Sequence, residues 1–152
     1  MVFHPIEPPF RTGMMAPVRD ERSIVNYMNR VVWLVGIGSF LGGISRYYSQ
    51  QIVARFFPSP FPYATFAVNV SGCFLIGVIY GLSARGNVLS PEWRLFLATG
   101  FCGGFTTFST FSYESVSLIH DREFVYLSFY VALSVIVGIA ATYMGALIFK
   151  SI

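Results

Sequence analysis

Charge is what this sequence has least of. Asp, Glu, Lys and Arg together make 17 of 152 residues, or 11%, against roughly 25% in an ordinary soluble domain. Apolar residues reach 55% and aromatics 18%. A soluble globule this small must cover most of its surface with polar groups, and this chain lacks them. The same composition excludes disorder. The net charge is +3, and its cations are scattered, so there is no basic stripe of the kind that binds nucleic acid. Only two cysteines are present, Cys73 and Cys102, each inside an apolar run. They read as small core residues rather than a disulfide or metal site. The two histidines, His4 and His120, are isolated, so no metal-ligand spacing exists. No span pairs a serine with a His, Lys or second carboxylate that would activate it, which argues against an intramembrane enzyme.

What is there is a set of long apolar runs in a chain the length of one domain. About 20 apolar residues cross the hydrocarbon of a bilayer as a helix. Tyr63–Leu82 supplies twenty, with Asn69 as its one amide, Leu95–Tyr113 nineteen uncharged residues, and Phe124–Phe149 twenty-six. A first span over Val31–Phe56 carries Arg46, expected to face protein or water rather than lipid. The reading is an all-α membrane protein of four transmembrane helices, at about 31–56, 63–82, 92–119 and 122–149. Pro58-Ser59-Pro60-Phe61-Pro62, Arg85-Gly86-Asn87 and His120-Asp121-Arg122-Glu123 are the links. Ser90 is expected to cap a helix entered at Pro91, and Asp121 is a candidate cap for the fourth helix. Trp33 and Trp93 suit one membrane face, and Tyr47, Tyr48 and Tyr63 the other.

Residues 1–30 hold seven of the 17 charges and four of the eight prolines. Residues 1–27 are read as a polar, disordered extension, with Met28 resembling a natural start, and residues 28–152 as the four-helix transmembrane domain. With four crossings both termini share a side, which collects seven of the Lys and Arg residues against two (Arg55 and Arg122) opposite. That bias favours cytoplasmic termini and drops to four against two without the extension.

Small residues recur at four-residue spacing: Gly38 and Gly42, Gly77 and Gly81, Ser134 and Gly138, Ala141 and Gly145. Such spacing lets helices approach closely in lipid. Packing inside one chain accounts for all of them, yet four helices enclose little interior, and that favours a homodimer. The third span carries the chemistry. Gly100, Gly103 and Gly104 run into Phe105-Thr106-Thr107-Phe108-Ser109-Thr110-Phe111. Three glycines in five residues favour a mid-membrane helix break, and broken backbone in lipid lines a cavity or is buried in protein, with freed carbonyls facing a cation. Tight packing by the glycines is the plainer alternative. Phe108 and Phe111 share a helix face, and aromatic edges are positive enough to meet a small anion. Asn69 adds amide donors. In span four, Tyr126, Tyr130, Ser134, Gly138 and Thr142 form an i, i+4 stripe, either a polar track or interhelical hydrogen-bond glue.

Three motifs, Gly42-Gly43-Ile44-Ser45-Arg46-Tyr47, Asn69-Val70-Ser71-Gly72-Cys73-Phe74 and Gly103-Gly104-Phe105-Thr106-Thr107-Phe108-Ser109-Thr110-Phe111, resemble the Fluc (CrcB-type) fluoride channel family over about Met28–Ile152. The resemblance implies a passive fluoride channel, built as an antiparallel homodimer with two pores. It implies a central structural Na⁺ held by the backbone carbonyls of Gly103 and Thr106 of each chain. It further implies an anion pathway of Asn69, Phe108, Phe111, Ser109, Thr110, Tyr130, Ser134 and Glu114, with Arg46 in a vestibule or structural role. Gly138 stands where the family can carry a hydroxyl, and the long extension is unusual for it. The partners implied are fluoride, a second copy and membrane lipid; the location implied is the inner or plasma membrane. The main rival is a proton-coupled exporter of cationic drugs, which needs a membrane carboxylate, and Glu114 is the candidate. A non-transporting assembly subunit is the other.

Overall fold

Runs of apolar residues without proline fold as long helices, and prolines and polar links end them. The computed structural model describes residues 21–84 and 88–150, and among them every regular element is helical. α1 is Glu21–Phe56 and α2 is Tyr63–Ser83. The third crossing is composite: α3 (Pro91–Arg94), a π-helical stretch (Leu95–Cys102), α4 (Gly103–Phe105) and, after two extended residues, α5 (Phe108–His120). α6 is Phe124–Lys150. By length and composition α1, α2 and α6 can each cross a membrane unbroken. The third crossing is the interrupted one.

The helix ends follow local chemistry. Pro62 stands at the N-cap of α2, and Ser90 accepts the Trp93 N–H at 3.3 Å ahead of Pro91, as its sequence suggests. Asp121 differs from expectation. It closes the C-terminus of α5 by donating its N–H to the Ser117 carbonyl at 2.9 Å, and Glu123 reaches back to Leu118 at 2.9 Å around Arg122, whose φ is 59°. This is a left-handed helix stop. The Leu127 N–H then bonds to the Glu123 carbonyl at 3.0 Å, so α6 starts from Glu123 rather than from an Asp121 cap.

Two further expectations are corrected. α1 begins at Glu21, ten residues before Val31, so residues 21–27 are helical rather than disordered. The physical reason is that Pro17 is the last proline before the run, no glycine interrupts residues 21–35, and Glu21 sits in the first turn against the helix dipole. Residues 1–20, with Arg11 and Arg19, and the link at 85–87 lie outside the described residues. The second correction is the place of the break. Gly100, Gly103 and Gly104 are helical, and the backbone leaves the helix at Thr106 and Thr107.

The glycines are used for contact instead. A Cβ at Gly38 would meet the Phe96 carbonyl at 2.5 Å and Gly100 at 2.9 Å, and one at Gly42 would meet the Phe101 carbonyl oxygen and the Phe105 nitrogen. A Cβ at Gly104 would strike the Ser39 carbonyl. This seats the first half of the third crossing on α1. On the other side, Gly77 meets the Thr142 carbonyl, Gly81 the Ala146 carbonyl and Gly145 the Phe74 carbonyl, so α2 and α6 interlock reciprocally. The small-residue spacings therefore serve contacts within one chain. Few side chains are buried, among them Val68, Ile79, Phe105 and Leu118, while Trp33, Phe40, Ile136 and Ile139 point outward. For a chain in lipid such outward apolar faces are expected, because the surrounding acyl chains are as apolar as leucine.

Gly42→Ala will lower the thermal unfolding midpoint in detergent, by about 1–3 kcal/mol of stability, because backbone on both sides cannot yield to the new methyl. Gly36→Ala, where a Cβ meets nothing within 4 Å, will be neutral or stabilising. Equal effects of the two would overturn this account of α1.

Candidate functional site: a pinned helix break beside an intramembrane cavity

Thr106 and Thr107 are extended (φ −80°, ψ 159° and φ −149°, ψ 117°), so backbone groups lose their helical partners in the middle of an apolar span. Each must find another, because lipid offers none. Thr106 turns both its N–H and its hydroxyl onto the Cys102 carbonyl, each at 2.9 Å. The Asn69 side chain takes Thr107 on both sides: its Oδ1 accepts the Thr107 N–H at 2.8 Å, and its Nδ2 donates to the Thr107 carbonyl at 3.1 Å. The Thr107 hydroxyl then caps α5 by accepting the Thr110 N–H at 3.2 Å, and it lies within hydrogen-bond reach of the Ser109 and Thr110 hydroxyls at 3.2 and 3.0 Å.

These bonds free two carbonyls. In an unbroken helix Thr107 N–H would serve Gly103 and Thr110 N–H would serve Thr106; both donors are diverted. The Thr106 carbonyl accepts from Arg46 Nη1 at 3.2 Å. Gly103 is exposed, with nothing within 4 Å of the position a Cβ would take. Hard carbonyl oxygens of this kind suit an alkali cation. The Gly103 and Thr106 carbonyls are the groups that could serve such an ion, and the Thr106 oxygen would share it with the Arg46 guanidinium.

The break opens on a cavity of about 560 Å³ whose wall includes Asn69, Gly103, Thr106, Thr107, Phe108, Phe111 and Ser134. The Phe108 and Phe111 rings stand 5.7 Å apart and tilted by 35°. Phe108 is 79% exposed, while Phe111 leans on Tyr130 at 4.9 Å between ring centres. The Ser134 hydroxyl is buried and has no hydrogen-bond partner within the chain. The remaining site candidates lie elsewhere. Ser109 and Thr110 cluster around the Thr107 hydroxyl. Tyr130, 0% exposed, donates its hydroxyl to Glu114 at 2.7 Å, and Thr65 donates to the other Glu114 oxygen at 2.8 Å. Gln50 Nε2 in turn donates to Thr65 at 3.1 Å.

The stripe on α6 thus divides. Tyr130 acts as interhelical glue, Ser134 faces the cavity, and Thr142 bonds back to the Gly138 carbonyl at 3.0 Å. Three residues were missed by the sequence reading. Thr107 is an N-cap, legible from a threonine ahead of a helical run. Thr65 lies one turn before Asn69 on α2, so the i, i+4 spacing placed it on the same face. Gln50 had no signal beyond being an amide in an apolar helix.

The pattern described as "CrcB-like protein, Camphor Resistance (CrcB)" matches residues 33–146. The chain belongs to this family. It is 37% identical over 123 residues to a Flavobacterium psychrophilum protein, covering 81% of this chain and 99% of that one. It is 51% identical over 119 residues to a Chlorobaculum tepidum protein, covering 78% and 94%. A Chlorobium phaeobacteroides protein is 49% identical over 112 residues, covering 74% and 87%. All three relatives carry the name "Fluoride-specific ion channel FluC". The exporter reading is not favoured by these relatives, and each oxygen of Glu114 already accepts a hydroxyl bond within the chain.

Asn69→Leu will destabilise the protein by about 2–6 kcal/mol, since two buried backbone groups of Thr107 lose their partners at about 1–3 kcal/mol each. Thermal melts in detergent read this directly, and an unchanged midpoint would remove Asn69 from the role of holding the break.

Proposed function

We propose that this protein is a fluoride-specific channel of the cell membrane that lets cytoplasmic fluoride leave passively. Family membership and the names of the relatives support the ion. The observation that carries the mechanism is the cavity bounded by Asn69, two tilted phenylalanines and the unpartnered Ser134 hydroxyl. Fluoride is small and holds water tightly. A pore must offer donors at close range, yet a full positive charge in the path would trap the ion. Hydroxyls, one remaining amide N–H of Asn69 and the positive edges of rings are donors of partial charge.

In this reading Phe108 and Phe111 present their edges to the ion, Ser134 donates to it, and Ser109 and Thr110 extend the donor set beyond Thr107. Glu114 and Tyr130 hold the end of the pathway in shape, and Arg46 fixes the break from α1 and biases the field towards anions. Two copies in antiparallel orientation would each close the exposed α5 face of the other and form two pores. The Gly103 and Thr106 carbonyls of both copies would hold Na⁺, which supplies a buried positive charge at a distance from the path. The biological use follows from acid chemistry: HF crosses membranes as a neutral molecule, ionises in a more alkaline cytoplasm, and the anion then leaves down the membrane potential.

Purified protein in liposomes will release fluoride, read with a fluoride electrode, and will not release chloride. Phe108→Ile and Phe111→Ile will each lower fluoride flux by about tenfold or more, equivalent to ~1.4 kcal/mol of barrier, while dimers still form by cross-linking. Unchanged flux in both variants would end the ring-edge assignment. Efflux of neither ion from the unmodified protein would end the channel reading.

A further inference from the structure

The cavity wall carries two groups that the anion pathway does not use. Cys73 and Cys102 are both free thiols and both line it. They come from separate elements, α2 and the end of the π-helical stretch. Three contacts hold those elements together. A Cβ at Gly72, beside Cys73, would meet the Thr106 methyl. The Cys102 carbonyl holds the Thr106 N–H and hydroxyl. Ile76, a turn beyond Cys73, packs on the cluster of Ile79, Ala98 and Cys102. Thr106 is therefore clamped between the neighbour of one cysteine and the carbonyl of the other.

Resting on the channel reading above, we propose that Cys73 and Cys102 form a binding site for a soft, two-coordinate cation, of the class of Hg²⁺ or Ag⁺, whose occupancy blocks the cavity. A thiol is a weak hydrogen-bond donor and offers a hard anion such as fluoride little, so the pair leaves the anion undisturbed. A soft cation reverses the preference, because thiolate is the ligand it selects. No group of three or more His, Cys, Asp or Glu stands together among the described residues, so two thiolates are the donor set and linear coordination the fit. With Hg²⁺ two S–H bonds break, two S–Hg bonds form and two protons pass to water; nothing is oxidised or reduced. The bound ion sits on the wall shared with Phe108 and Phe111, where its bulk fills the path; the bis-thiolate mercury centre carries no net charge, so the block is steric.

The test titrates mercuric nitrate onto the purified full-length protein and onto Cys73→Ser, Cys102→Ser and the double variant. Bound mercury is counted by elemental mass spectrometry, free thiols are counted by a colorimetric reagent, and fluoride efflux is normalised to each protein's mercury-free rate. The expected result is one mercury per chain with both thiols consumed, and blocked efflux. The half-blocking concentration should rise by about 100-fold in either single variant, as one of two thiolate ligands is lost, and the double variant should be insensitive. Two mercury ions per chain, no mercury bound, or a double variant as sensitive as the parent would overturn the site. Should the mercury-free parent pass no fluoride, the channel reading fails on its own, and the mercury count against the single variants still decides the cysteine pair.

Discussion

Everything at the centre of this protein depends on one pair of hydrogen bonds, those between the Asn69 amide and the backbone of Thr107. In a hydrocarbon slab an interrupted helix leaves main-chain donors and acceptors with no water to take them. An amide is the side chain that matches a peptide group on both counts, since it carries one acceptor and a donor pair. Placing it on a neighbouring uninterrupted helix turns the interruption into a fixed shape. From that fixed shape follow the freed carbonyls of Gly103 and Thr106, the cap on α5 and the direction in which Phe108 and Phe111 leave the backbone.

The second constraint is distance between helix axes. Asn69 reaches Thr107 only because α2 lies close to the break, close enough that Gly72 admits no side chain beside the Thr106 methyl. On the far side, Gly38, Gly42 and Gly104 bring α1 equally near, and Arg46 then finds the Thr106 carbonyl. The glycines near the interruption act as spacers, and the threonines are where the chain turns. The extended residues need side chains that can satisfy or cap backbone, which glycine lacks.

The two ionisable side chains most deeply placed in the crossings are settled in different ways. Arg46 meets a main-chain oxygen, a neutral partner that leaves its charge in the field of the cavity. Glu114 meets two hydroxyls, from Thr65 and Tyr130, backed by Gln50. That network ties α1, α2, α5 and α6 at one level and gives the lightly attached α5 its main polar anchor to the rest of the chain. Bonds to both oxygens of one carboxyl, from two different helices, fix its position, which suits a joint on the far side of a broken crossing.

Composition and run length were enough to indicate an all-helical membrane protein, with three helices long and apolar enough to cross, because the need to span about 30 Å of hydrocarbon is a one-dimensional constraint that sequence records directly. The prominence of Asn69, Phe108, Phe111 and Ser134 was also legible, since polar or paired aromatic residues stand out against an apolar run. Only the tertiary structure decided where the third crossing opens, at Thr106–Thr107 rather than among the glycines, and which stripe members face the cavity. Glycine loosens a helix and equally lets two helices touch, and sequence cannot separate the two uses; the carbonyls of Phe96, Phe101 and Ser39 lying against those positions can. The same holds for Tyr130 and Ser134, one turn apart on one helix yet turned to different partners, because the choice between them was made by side chains more than ten residues away in sequence.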